Sequence, residues 1–122
     1  MDRLAAAVTG RNMTVLARID HASAAGKAGM ELRPTEVLIF GNPRAGTPLM
    51  QAAQTIGIDL PLRALVWQDE GGKTWLAYDD PKWLAERHGV DVEASRIILA
   101  GMADALGAVV EEAISPGEPR GP

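Results

Sequence analysis

Read for chemistry, the chain offers one imidazole, one guanidinium and a glycine-rich turn that a suitable topology would bring together. His21 is the acid–base candidate, Arg63 the anion holder, and Asn42 and Tyr78 hydrogen-bonding partners. The Gly41–Gly46 loop precedes Thr47-Pro48, which reads as a helix N-cap followed by proline at the first helical position. A helix starting there leaves N–H groups unpaired and a positive dipole end, which suits a small anion or a carbonyl. The candidate ligand-binding set is Asp20, His21, Asn42, Gly46, Thr47, Arg63 and Tyr78, with His21 the candidate catalytic residue. The gathering is conditional. It requires the strands ending at Ile19 and Phe40 to run parallel, and the strand starting at Arg63 to run antiparallel to both. If the Gln51–Leu62 connection reverses direction the other way, Arg63 sits at the far end and the cluster dissolves.

Each member also has an ordinary explanation. Asp20, Asp80 and Asp91 read as helix caps, and Asn42 and Thr47 can hydrogen-bond their own backbone. Arg63 can pair with Asp79, and Tyr78 can cover an apolar face. His88, in the last turn before Gly89, suits the negative end of a helix dipole. No Walker-type lysine follows Gly46, so a nucleotide loop is not indicated. His21 and His88 lack metal-ligand spacing, and Ser23 and Ser95 lack an elbow or an adjacent base. Neither a metal nor a cofactor is expected.

The elements that must position these residues follow from the pattern. Thr35–Phe40 is apolar on both faces, Val37 and Ile39 on one and Leu38 and Phe40 on the other, as in an inner strand covered twice. Gly41 is expected to turn the chain, and the following helix to run from Pro48 to about Gln54. Before it come an alanine-rich helix over Asp2–Val8, a strand over Met13–Ile19 with Val15, Ala17 and Ile19 on one face, and a short helix from Asp20 to Ala28 closed by Gly29. Thr55–Leu62 reads as a loop. Arg63–Glu70 and Lys73–Tyr78 form a hairpin closed by Gly71-Gly72 as a two-residue turn. That register sets Glu70 against Lys73, Trp67 against Leu76 and Leu65 against Tyr78. A helix follows Asp80-Pro81 and ends at Gly89. Asp91 then caps a long helix to about Ala113, with Ile98, Leu99, Met102, Ala105, Leu106, Val109 and Ala113 forming its apolar stripe. The sum is two-layer α+β, with a mostly antiparallel sheet of at least four strands packed by helices. Residues 1–114 make one domain, and 115–122 a flexible tail.

Bulk properties exclude several function classes. The formal charge is −4 over 122 residues, and there is no basic run, so neither nucleic acid nor an anionic membrane is an expected partner. Trp67, Trp75 and Trp83 are dispersed, with one Phe and one Tyr besides, which does not make a base-stacking platform. The absence of cysteine excludes disulfides and thiolate chemistry and suits a cytoplasmic address. Met1-Asp2-Arg3 does not open a signal peptide. The longest apolar run, Ile97–Val110, is interrupted by Asp104 and falls short of the ~20 residues a membrane helix needs.

The stretches Arg18-Ile19-Asp20-His21-Ala22, Leu32-Arg33-Pro34-Thr35-Glu36, Phe40-Gly41-Asn42-Pro43 with Gly46-Thr47, and Asp59-Leu60-Pro61-Leu62 resemble the bacterial and archaeal domain-of-unknown-function 302 family. The resemblance covers about Asp2 to Gly89. It implies a TBP-like α+β fold, an antiparallel sheet gripped by a long C-terminal helix, and a homodimer; it implies no activity. Members of the family carry an extra N-terminal strand, whereas Met1 here falls almost at the first helix. Either another chain covers the sheet edge this leaves, or the start is truncated.

The expected function is a non-enzymatic small-ligand-binding or sensor-like domain, with its ligand between sheet and helices near Asn42–Thr47. The alternatives are an enzyme using His21 as general acid/base on a small anionic or carbonyl substrate, and a structural dimerisation module.

Overall fold

Strands β1 (Thr14–Asp20), β2 (Thr35–Gly41), β3 (Leu62–Gln68) and β4 (Thr74–Tyr78) form one sheet in the order β1-β2-β3-β4, every pair antiparallel. The structure is a computed structural model and describes residues 1–115; the expected tail lies, from residue 116 onward, outside the described residues. The helices are α1 (Asp2–Gly10), α2 (His21–Lys27), α3 (Pro43–Ala52), α4 (Pro81–Arg87) and α5 (Arg96–Ile114), with a 3-10 turn over Gln54–Ile58. The α+β class, the antiparallel sheet and the long C-terminal helix are as expected.

One face of the sheet makes the core. Leu38, Phe40, Leu62 and Ala64 are buried there with Leu4 and Val8 of α1, Leu49 of α3, Leu84 of α4, and Leu99, Met102, Leu106 and Val109 of α5. The α5 residues are the stripe that three- and four-residue spacing marks out. The other face carries Ile19, Val37, Ile39, Leu65, Trp67 and Trp75, as the register and the two-residue strand period require. Beside the core, Arg18 joins sheet to helix: its Nε donates to Glu36 Oε1 at 2.7 Å and its Nη1 to Asp2 Oδ1 at 2.7 Å. These two carboxylates raise the pKa of Arg18, and Arg18 holds the Asp2 carboxyl below the usual range.

Four local expectations need correction. The first concerns β1, which slips register between Val15 and Ala17. The bulge leaves Val15 opposite Phe40 on the core side and moves Ala17 and Ile19 to the other face. The second concerns the helix after β2, which begins at Pro43 rather than Pro48. Asn42, not Thr47, is its cap, accepting the Arg44 N–H on Oδ1 at 2.9 Å. Gly41 accordingly stays in the strand. What its missing side chain provides is close approach, since a Cβ there would stand 3.3 Å from the Pro61 Cβ.

The third concerns the hairpin, which closes through Asp69–Lys73. Asp69 accepts the N–H groups of Gly71 and Lys73 on Oδ1 and the indole N–H of Trp75 on Oδ2 at 2.7 Å. Only Gly72 of the two glycines takes a positive φ, +83°, whereas a type I′ turn needs two. The register therefore shifts by one, Trp67 opposing Trp75 and Leu65 opposing Ala77, which puts Leu76 and Tyr78 on the core side. The fourth concerns Asp91, whose Oδ1 caps a separate turn by accepting from Glu93 and Ala94; α5 starts at Arg96.

Candidate functional site

The antiparallel pairing of β1 with β2 decides what the expected site residues can do together. Asp20 lies opposite Glu36, near the start of β2, whereas Asn42 follows its end. Six residue steps lie between Glu36 and Asn42, about 20 Å along an extended strand. Asp20 caps α2 through its Oδ1, which accepts the Ser23 N–H at 2.9 Å, and His21 is exposed at the first helical position. Neither reaches the end where Asn42, Gly46, Thr47, Arg63 and Tyr78 gather. The parallel arrangement that would have joined His21 to Arg63 is not adopted.

That second end is itself divided by the sheet. Arg63 stands opposite Ile39 on the non-core face, and its Nη2 donates to the Ile58 carbonyl at 2.9 Å. Tyr78, at the last position of β4, is 43 % exposed. Asn42, Gly46 and Thr47 border something different: a cavity of about 560 Å3 between the first turns of α3, the Leu60–Leu62 segment and one side of α5. Its walls are chiefly apolar, with Met13, Met50, Leu60, Pro61, Ile98 and Met102 among them; Leu16 and Ile97, 58 % and 78 % exposed, also border it.

Small residues keep this space open. Ala45 and Gly46 of α3 and Gly101 and Ala105 of α5 border it, and a Cβ added at Gly101 would meet no atom within 4 Å. The α3 N-terminus contributes less charge recognition than its position suggests. The N–H of Arg44 goes to Asn42 Oδ1, those of Ala45 and Gly46 to the Asn42 carbonyl at 2.9 and 3.0 Å, and Pro43 has none. The charged side chains at the cavity are Arg11 and Arg44; no Asp, Glu or His borders it.

A half-buried titratable pair lies elsewhere, joining His88, read from sequence as a helix-end residue, to Asp59. His88 Nε2 sits 2.5 Å from Asp59 Oδ2, and its Nδ1 is 3.1 Å from the Thr55 hydroxyl. The side chains of His88 and Asp59 are 11 % and 14 % exposed, and Arg87 stands 3.7 Å from the other Asp59 oxygen. The hydrogen bond from His88, helped by the charges of Arg87 and Arg63, holds the Asp59 carboxyl below the usual range. The order hydroxyl–imidazole–carboxylate resembles a nucleophile relay, but none of the three borders the cavity. What the geometry shows is a clip joining the 3-10 turn to the end of α4. Twenty-nine residues separate Asp59 from His88 with no spacing motif, so only the fold reveals the pair.

With the geometry in place, comparison with known proteins gives a consistent fold. A model of the family described as "Domain of unknown function DUF302" matches residues 1–113. The chain belongs to the DUF302 family. The crystal structure of an uncharacterized conserved DUF302 protein from Bacillus stearothermophilus superposes with a TM-score of 0.79 at 20 % identity, over 92 % of this chain and 86 % of that one. Two curated relatives of this DUF302 chain are named "Fluoride-specific ion channel FluC 1", from Brucella suis biovar 1 (strain 1330) and Brucella abortus biovar 1 (strain 9-941). Each is 46 % identical over 113 residues, 93 % of this chain, but only 44 % and 42 % of the relatives. The chain thus spans less than half the length of the curated relatives it matches. Among its described residues no helix is long and apolar enough to cross a membrane.

Proposed function

We propose that this DUF302 domain is a small-ligand-binding, sensor-like module that holds its ligand without transforming it. The observation that carries the reading is the cavity beneath Asn42–Thr47, sized within the roughly 300–1,000 Å3 range of small-molecule sites and bordered by no acid–base side chain. The enzymatic alternative needed His21 beside Arg63, and the sheet separates them. The Brucella relatives fit the same reading. A channel needs spanning helices or a closed barrel, and the matched segment, with no spanning helix of its own here, would act as a module beside whatever part conducts.

A thermal-shift screen of small organic molecules, with sodium fluoride as a separate arm, tests this, because a ligand that binds only the native state raises its midpoint. The expected result is an organic ligand whose shift vanishes in Gly101→Phe, which fills the cavity, and persists in His21→Ala. A shift that survives Gly101→Phe, or no shift from any organic compound, would reject the site.

A second reading, homodimerisation, is favoured by one feature. The non-core face of the sheet presents Ile19, Val37, Ile39, Leu65, Trp67 and Trp75, with Ile19 41 % and Trp75 43 % exposed. A contiguous apolar face of this kind marks association surfaces. Sedimentation should show a dimer that Ile39→Asp dissolves; monomer alone at high concentration would dispose of it.

A further inference from the structure

Arginines elsewhere in the described chain are mostly occupied. Arg18, Arg87 and Arg96 pair with carboxylates, and Arg3 and Arg63 donate to backbone carbonyls. Arg11, Arg33 and Arg44 make neither kind of contact among the described residues, and of these Arg11 and Arg44 are set apart by position. Both border the cavity, and no carboxylate among the described residues lies within 4.0 Å of either, in a chain with sixteen acidic residues against twelve basic ones. Arg11 also borders a neighbouring depression with Asp104 and Glu112. Yet a cavity with two guanidinium groups that lack a carboxylate partner among the described residues, no acid in its own walls and an apolar interior is complementary to one kind of molecule.

We infer that the occupant is an amphipathic carboxylic acid: an apolar body seated among the methionines, with its carboxylate held by Arg44 and Arg11. The inference rests on the ligand-binding reading above and adds the ligand's chemical class. Guanidinium is the group that matches a carboxylate, through two parallel N–H donors. The α3 N–H groups cannot substitute, since Asn42 already accepts the first three available. Three of the five methionines, Met13, Met50 and Met102, border the cavity. Their flexible thioether chains suit apolar bodies of varied shape, so the charge, more than the outline, should set selectivity. A bare inorganic anion would leave the apolar wall unfilled.

Titration calorimetry with octanoate and with octanol, which share an alkyl body, separates the charge from the cavity. Octanoate should bind about 10- to 100-fold more tightly, the range expected of charge-assisted hydrogen bonds. Arg44→Gln and Arg11→Gln should each weaken octanoate and leave octanol unchanged, and neither should unfold the protein, because neither side chain has a partner to lose among the described residues. Equal affinity for the two ligands would overturn the inference while leaving the cavity reading intact. An octanoate preference untouched by both arginine variants would also overturn it, by placing the anion elsewhere. Absence of binding by either compound rejects this ligand class, whereas the cavity itself stands or falls by the wider screen and Gly101→Phe.

Discussion

Asp59 and the two residues that follow it, Leu60 and Pro61, serve regions that treat polar groups in opposite ways. Asp59 turns to the clip, where His88 occupies one carboxylate oxygen, Arg87 stands by the other, and Thr55 completes the chain of partners. Leu60 and Pro61 turn to the cavity, where space is unfilled and the two cations have no carboxylate partner among the described residues. Among the described residues no side chain that is both polar and fully buried occurs, and no buried side-chain polar atom lacks a partner. The clip shows that titratable groups brought together here are consumed in holding the fold. The cavity shows where the fold leaves apolar surface uncommitted, and that is the region available to a ligand.

The sharpest way to break this contrast is on α5, which serves the core and the cavity at once. Leu106 is 1 % exposed within the core. Leu106→Ala should cost about 2–5 kcal/mol, as buried leucine truncations do, read as a fall in the denaturation midpoint. A loss under 1 kcal/mol would mean that the core side of α5 is as loosely packed as the cavity side, and the distinction between them would disappear.

The clip predicts a smaller effect with a definite pH direction. The folded state holds Asp59 below its ordinary pKa, through His88 first, then Arg87 and Arg63, so the unfolded chain binds the proton more readily. Its contribution is fully present above the unfolded carboxylate value and is lost as pH falls through that value and then through the lowered folded one. Asp2 and Asp69 are shifted the same way, by Arg18 and by the Trp75 indole respectively. Asp59→Asn should therefore lower the melting temperature at neutral pH and flatten, without abolishing, its fall in acid. Wild-type and variant curves that stay parallel down to acid pH would show that the Asp59–His88 contact contributes nothing.

How much of this was legible in the residues follows the same division. Local chemistry was readable: Asp20 and Asp80 cap their helices, Gly29 and Gly89 take positive φ beyond them, and the α5 stripe is buried where its spacing indicates. Choices between two good local options were not. Asn42-Pro43 and Thr47-Pro48 are both cap-plus-proline pairs, and nothing local to either marks the earlier one as the start the chain takes. Gly71-Gly72 permits a two-residue turn, yet Asp69 offers four partners to a longer one. Strand direction was beyond local signals altogether, since α2 and its following loop fit a return in either sense. For that reason Asn42, Gly46 and Thr47 border a cavity, while Asp20 and His21, expected beside them, lie at the other end of the sheet.

The smallest effect gives the finest test of whether the cavity is open by design of the sequence or merely left over by packing. Gly101 lies inside α5, where glycine is less favourable than alanine by about 0.8–1.0 kcal/mol from backbone entropy and lost helix propensity. Its φ is not in the left-handed region, and an added Cβ meets nothing within 4 Å. Gly101→Ala should thus stabilise the domain by up to about 1 kcal/mol, seen as a small rise in melting temperature. A glycine that costs stability at a position where alanine fits is held there by something other than folding, and the space it leaves lies against the cavity. Should Gly101→Ala instead destabilise, the wall at that point is closed in solution, and both the cavity and the ligand class assigned to it would have to be abandoned.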